Sequence, residues 1–120
     1  MSRFVVQEHH ARNLHWDFRL EMEGVLKSWA VPKGVPEKIS IKRLAIQVED
    51  HELDYIDFEG EIPEGQYGAG TVKIWDSGTY ELESESEKAV SFILNGKRLK
   101  GRYSLVNLKQ NQWLIIKQKD

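Results

Sequence analysis

From Leu14 to Leu20 apolar and polar residues alternate without a break. Leu14, Trp16, Phe18 and Leu20 fall on one phase, and His15, Asp17 and Arg19 on the other. Successive side chains of a β-strand leave opposite faces, so residues 14–21 read as a strand with one apolar face and one polar face. Similar alternating or β-branched runs occupy residues 4–7, 25–30, 44–48, 71–75, 79–83, 90–94, 101–108 and 113–117. Gly24 supplies a turn between the second and third runs, and Pro32, Gly34 and Pro36 punctuate a loop. Asp76-Ser77-Gly78 reads as a hairpin turn between 71–75 and 79–83, and Asn95-Gly96 as another after 90–94. A polar turn over 109–112 joins the last two strands, and residues 85–89 admit a single helical turn. With no amphipathic helix, repeat or linker, the pattern predicts an all-β fold, a compact antiparallel β-barrel of about eight strands. Residues 1–120 form one domain on this reading.

Composition narrows the chemistry. A chain of 120 residues with 12 aromatic side chains can bury a core without disulfides or structural zinc. The absence of cysteine excludes thiolate catalysis and cysteine-ligated metal clusters. No targeting sequence or membrane-length apolar run is evident, which leads us to expect a cytoplasmic protein without membrane contact. The formal charge of −2 conceals an asymmetry: acidic residues dominate 46–87, and basic ones dominate 88–120. Bulk charge therefore gives no argument for non-specific nucleic-acid binding.

The polar row is where chemistry concentrates. His15 and Asp17 lie two residues apart on a strand, about 6.7 Å between Cα atoms, with both side chains on one face. A metal held at about 2.0–2.2 Å from a His nitrogen and an Asp oxygen bridges such a gap. His9 lies just upstream as a third ligand, and Arg19 is one step further along the same face. A two-nitrogen, one-oxygen set suits manganese, zinc or ferrous iron. The competing reading is a strand whose polar face is simply solvated. The glycine-rich run 65–70 lacks the signature of a P-loop and precedes a strand, so it reads as turn chemistry. Trp16, Trp29, Trp75 and Trp113 each sit inside a predicted strand and read as core residues.

These residues resemble a known family, the 3′-phosphoesterase domain of bacterial DNA ligase D. The resemblance is carried by Gln7-Glu8-His9, His15-Trp16-Asp17-Phe18-Arg19-Leu20-Glu21, the run from Leu26 to Gly34, Val48-Glu49-Asp50-His51 and Asp54-Tyr55. It continues through Phe58-Glu59-Gly60, Ile62-Pro63-Glu64-Gly65 and Tyr67-Gly68-Ala69-Gly70 to Trp75-Asp76. It implies a β-barrel enzyme that trims nucleic-acid 3′ ends. A phosphodiesterase step removes a terminal ribonucleoside, and a phosphomonoesterase step clears the remaining phosphate to leave a 3′-hydroxyl. It further implies Mn2+ as cofactor, other divalent transition metals being possible, with His9, His15 and Asp17 as ligands. Arg19, His51 and Tyr55 would engage the scissile phosphate, and Gln7, Lys33, Arg43 and Glu49 are further positions linked to activity.

The implied substrates are DNA or RNA-containing primer 3′ ends, with a separate ligase and polymerase acting in trans. The family's domain has an N-terminal extension, whereas this sequence starts just before Phe4, so the balance between the two activities is left open. One alternative is a non-catalytic barrel that binds nucleic-acid ends or a repair protein. Another is a cupin-like oxygenase with ferrous iron on the two His and the Asp, which leaves Arg19, His51 and Tyr55 without a role.

Overall fold

The computed structural model of the protein describes residues 2–119. Nine strands follow one another: β1 (Ser2–His10), β2 (Leu14–Met22), β3 (Val25–Val31), β4 (Lys42–His51), β5 (Gly60–Ile62), β6 (Gly70–Glu85), β7 (Ala89–Gly96), β8 (Lys100–Lys109) and β9 (Gln112–Lys117). All pairings are antiparallel, in the order β1-β2-β3-β4-β9-β8-β7-β6, and β6 returns to pair with β1. Eight strands thus close a barrel, and the short β5 adds to the start of β6. Closure leaves no long open edge, which suits a chain built of alternating strands. The all-β barrel expected from the pattern is the fold observed. Among the described residues no helix is long and apolar enough to cross a membrane.

The apolar phase of each strand fills the barrel. Phe4 and Val6 from β1, Phe18 and Leu20 from β2, Trp29 and Val31 from β3, Phe92 and Leu94 from β7 and Tyr103 and Leu105 from β8 are all buried in one cluster. Phe18 lies at its centre, stacked on Phe92 at 5.7 Å and tilted against Trp29 at 6.4 Å. Trp16 and Trp75 are half-buried at its margin, so all four tryptophans serve packing, as expected. A second, smaller cluster of Val5, Leu26 and Ile56 lies outside the barrel wall. There a 3-10 helix over Leu53–Asp57 covers the outer face of β1, β2 and β3.

Three local expectations are corrected. Asp76-Ser77-Gly78 is not a turn, because β6 runs unbroken through it. Asp76 pairs with Val6 and Ile74 with Gln7, which leaves Trp75 as the extra residue of a β-bulge. The Asp76 carboxylate accepts backbone N–H bonds from Lys97 (2.9 Å), Arg98 (3.2 Å) and Leu99 (2.8 Å), so it organises the β7–β8 turn. Asn95 and Gly96 precede that turn as the last residues of β7. Gly96 is needed for closeness: a Cβ there would lie 2.3 Å from the Asp76 carboxylate and 2.7 Å from Phe4. Residues 85–89 form no helix; Glu85 ends β6, and the Ser86 N–H donates to the Ala89 carbonyl across a turn. The helical turn that does form, at Leu53–Asp57, falls in a segment whose acidic residues hid it.

Candidate active site

The polar phase of β2 is buried on the outer face of the wall, under the 3-10 helix. Register places His9 opposite His15, Gln7 opposite Asp17 and Ser28 opposite Arg19, so these side chains share one face. The expectation of a polar face outside the core holds only in direction. Gln7 is 0% exposed, Arg19 3%, Asp17 6% and His9 7%. Buried polar groups require partners, and the network supplies them.

Arg19 is the hub. Its Nε donates to Gln7 Oε1 at 2.7 Å, and Nη1 donates to Ser28 Oγ at 2.8 Å and to His51 Nδ1 at 3.1 Å. Nη2 lies 3.5 Å from Asp17 Oδ2, and the guanidinium sits over the Tyr55 ring at 5.1 Å. Gln7 in turn donates to the carbonyls of Tyr55 (2.9 Å) and Phe58 (3.3 Å), tying the covering helix to the hub. An ion pair between Arg3 and Asp57 at 2.8 Å and an Ile74 N–H bond to Glu59 at 2.7 Å fasten the same segment.

His51 reaches the site through a second bulge. Leu26 pairs with His51 and Ser28 with Val48, so β4 carries one extra residue between Val48 and His51. Without it, residues three apart would leave opposite faces. His51 is the last residue of β4, three residues beyond the run 44–48 read as a strand. Its ring lies 4.8 Å from that of Tyr55. His51 Nδ1 faces both Arg19, which can only donate, and the Glu49 carbonyl at 3.2 Å, which can only accept; the shorter contact to the charged Arg19 assigns Nδ1 as acceptor and the ring proton to Nε2. Burial, reinforced by the nearby Arg19 charge, holds the His51 pKa below its ordinary value.

The two other histidines are oriented by backbone carbonyls. His9 Nε2 donates to Gly68 O at 2.7 Å, and His15 Nδ1 donates to Asn13 O at 3.1 Å. Their remaining nitrogens face Asp17: His9 Nδ1 is 3.4 Å from Oδ2, and His15 Nε2 is 3.2 Å from Oδ1. A His9 tautomer with its proton on Nε2 turns a lone pair toward a carboxylate oxygen, two acceptors face to face. A cation between them, whether a proton on Nδ1 or a metal ion, relieves that contact.

The three ligand atoms lie within 4.8 Å of one another. Carbonyl-held imidazoles beside a carboxylate match the way proteins orient ligands to a divalent metal. The donor set therefore fits the cation expected from the sequence. Burial works against the Asp17 carboxylate, yet its hydrogen bond from His15 and the Arg19 charge bring its pKa below the usual range. The same hydrogen bond raises the pKa of His15.

His9, His15, Asp17, Arg19, His51 and Tyr55 all line one cavity of about 450 Å³. Glu49 also lines it, whereas Gln7 lies beneath as a support. Lys33 and Arg43 lie elsewhere, in a separate cleft of about 400 Å³ beside Trp16 and Trp75. There the Arg43 guanidinium binds the carbonyls of Lys33 and Gly34. Sequence reasoning missed Ser28, whose hydroxyl is fully buried between Arg19 and the Leu26 carbonyl. Its one signal was a hydroxyl among the apolar residues of β3. It also missed the Gly68 carbonyl, since a backbone group leaves no mark on residue type.

The barrel thus brings a cluster of two His and one Asp together with a buried arginine and a half-buried histidine in one cavity. Comparison with known proteins narrows this. The model of the DNA ligase D 3′-phosphoesterase domain matches residues 7–107. The chain is 53% identical, over 100% of its length, to the multifunctional non-homologous end joining protein LigD of Pseudomonas aeruginosa. It is 52% identical, over 99%, to the multifunctional non-homologous end joining DNA repair protein LigD of Mycobacterium tuberculosis. With the LigD of Mycolicibacterium smegmatis the identity is 46%, again over 99% of the chain. The protein belongs to the DNA ligase D 3′-phosphoesterase domain family. It spans 15–17% of the length of these three relatives.

Proposed function

We propose that the protein is a metal-dependent phosphoesterase that heals nucleic-acid 3′ ends in end-joining repair. On this reading it removes a terminal ribonucleoside and then the phosphate left behind. The observation that carries the proposal is the cavity in which three ligand atoms within 4.8 Å sit beside Arg19, His51 and Tyr55. Family membership supports the phosphoester substrate, and the relatives' names support DNA ends as its source.

His9 Nδ1, His15 Nε2 and Asp17 would hold the cation, for which we propose Mn2+. When bound, such an ion supplies Lewis-acid stabilisation of charge on a phosphate oxygen. The chain's own residues do the rest. Arg19 is held on three sides, which leaves Nη2 as the arm for a phosphate oxygen. A preorganised donor of this kind stabilises charge growing in the transition state without reorganising. His51, kept neutral by burial, offers its Nε2 proton to the phosphate or to the departing oxygen. Tyr55 adds a hydroxyl donor, and burial raises its pKa so that it stays protonated. The 3′-hydroxyl left behind would serve a separate ligase and polymerase acting in trans.

The test is incubation of a labelled primer ending in one ribonucleotide with and without Mn2+. Metal-dependent shortening to a 3′-phosphate and then a 3′-hydroxyl end is expected. An unchanged primer in both arms would leave an end-binding barrel as the better account.

A further inference from the structure

Eleven of the twelve aromatic side chains are buried or half-buried; Tyr67 is 96% exposed. The backbone on both sides of it is held in place. The Gly68 carbonyl next to it accepts the His9 bond at 2.7 Å, and a Cβ on Gly68 would meet the His9 ring at 3.5 Å and Ile62 at 3.9 Å. The loop is folded by two backbone bonds, from Gln66 N–H to Pro63 O and from Ala69 N–H to Gln66 O, each 3.2 Å. At its end, Gly70 approaches β1 so closely that a Cβ would lie 2.2 Å from the His10 carbonyl. An almost fully exposed ring thus stands on a pinned loop at the rim of the cavity that holds His9, Arg19 and His51.

An aromatic face offered to solvent at a phosphate site suits the flat group that nucleic acid carries one sugar away from each phosphate. Base–aromatic stacking stabilises such contacts and tolerates every base, because each has a π-face. Ala11, Ile62 and Gly68 line the same cavity and offer a base edge no side-chain donor or acceptor; the acidic lining comes from Asp17, Glu49 and Asp50, on β2 and β4.

We propose that Tyr67 forms a stacking subsite for the nucleobase of the 3′-terminal nucleotide. Together with Ile62 and Ala11 it takes the base without reading its identity. This rests on the phosphoesterase reading above. It assigns Tyr67 a positioning role, and all four bases should be accepted to within a few-fold, purines best.

The experiment compares wild type, Tyr67→Phe and Tyr67→Ala on two Mn2+-treated primers, one ending in an ordinary nucleotide and one in an abasic sugar. On the ordinary end Tyr67→Ala should raise KM roughly tenfold with kcat little changed, while Tyr67→Phe behaves as wild type. On the abasic end all three proteins should agree. Equal loss on both ends, or no loss on either, would overturn the proposal. Fluorescence anisotropy with the same oligonucleotides and no added metal reads the subsite without turnover. There wild type should prefer the base-bearing end and Tyr67→Ala should not. A wild-type protein that shows this preference yet cleaves neither primer would refute the phosphoesterase reading and keep the stacking subsite. One that shows no preference would refute the subsite whatever its activity.

Discussion

The wall made by β1, β2 and β3 has two faces, and both are buried. Toward the lumen, Phe4, Val6, Phe18, Leu20 and Trp29 pack by shape alone. On the outside, Gln7, Asp17, Arg19 and Ser28 are as well buried but are held by directed bonds. Dispersion and solvent exclusion stabilise the first face and tolerate small shifts. The second has desolvated charges whose cost is offset only while every partner is present. The lumen face accordingly builds the barrel, and the outer face fixes atoms where chemistry needs them. Strand periodicity alone does not tell a buried polar face from a wet one. The difference here is made by a distant segment, the 3-10 helix, lying over it.

Substitutions on the two faces should separate stability from function. Phe18→Ala removes the ring at the centre of the lumen cluster and should cost about 3–5 kcal/mol. Urea unfolding would show a lower midpoint, and Mn2+ affinity should fall only where the protein unfolds. His15→Ala should do the opposite, abolishing Mn2+ binding while costing less stability, about 1–3 kcal/mol for the Asp17 hydrogen bond it removes. A His15 variant that loses as much stability as Phe18→Ala would mean that the outer face carries the fold.

Arg19→Lys comes next in expected size. One ammonium cannot replace the bonds to Gln7, Ser28 and His51 together. Turnover should fall at least about tenfold, equal to ~1.4 kcal/mol of transition-state stabilisation. Buried partners left unsatisfied should lower stability by about 1–3 kcal/mol as well. A fully active, fully stable lysine variant would remove Arg19 from the hub.

The barrel and the row of His15, Asp17 and Arg19 were legible because both follow a two-residue period. Leu14–Leu20 needs no tertiary information to place His15, Asp17 and Arg19 on one face. Where the period breaks, legibility breaks too. Trp75 and the residues before His51 are bulge positions, and a bulge is set by the partner strand's register, which one strand does not encode. Gly78 and Gly96 looked like turn residues but are there for close approach, since a Cβ on Gly78 would lie 2.1 Å from the Asn95 carbonyl. Lys33 and Arg43 entered by resemblance alone, and the structure sets them in a different cleft from the cation site.

His51→Ala should show a subtler split. It should keep Mn2+ affinity, lose turnover on a nucleoside leaving group, and lose less on an activated aryl phosphate that needs no protonation. Equal losses on the two substrates would reduce His51 to a phosphate ligand.

The smallest effect is a titration. In metal-free protein the His15 ring should titrate above about 6.5 and the His51 ring below it. The signs follow from linkage. The His15 contribution to stability is full below about 6.5 and is lost as pH rises through its folded value. The His51 environment favours the neutral ring, so stability falls as pH drops from about 6.5 through the lower folded value. Proton NMR of the imidazole C–H resonances would read both, and a reversed order would contradict the assigned network.

The account stands on one cation held between His9, His15 and Asp17, and calorimetric titration with Mn2+ tests that directly. The wild-type chain should bind one ion, and His9→Ala, His15→Ala and Asp17→Asn, each shown folded by circular dichroism, should bind none with comparable affinity. Wild-type affinity in any two of these variants, or in a variant combining two of the substitutions, would contradict it.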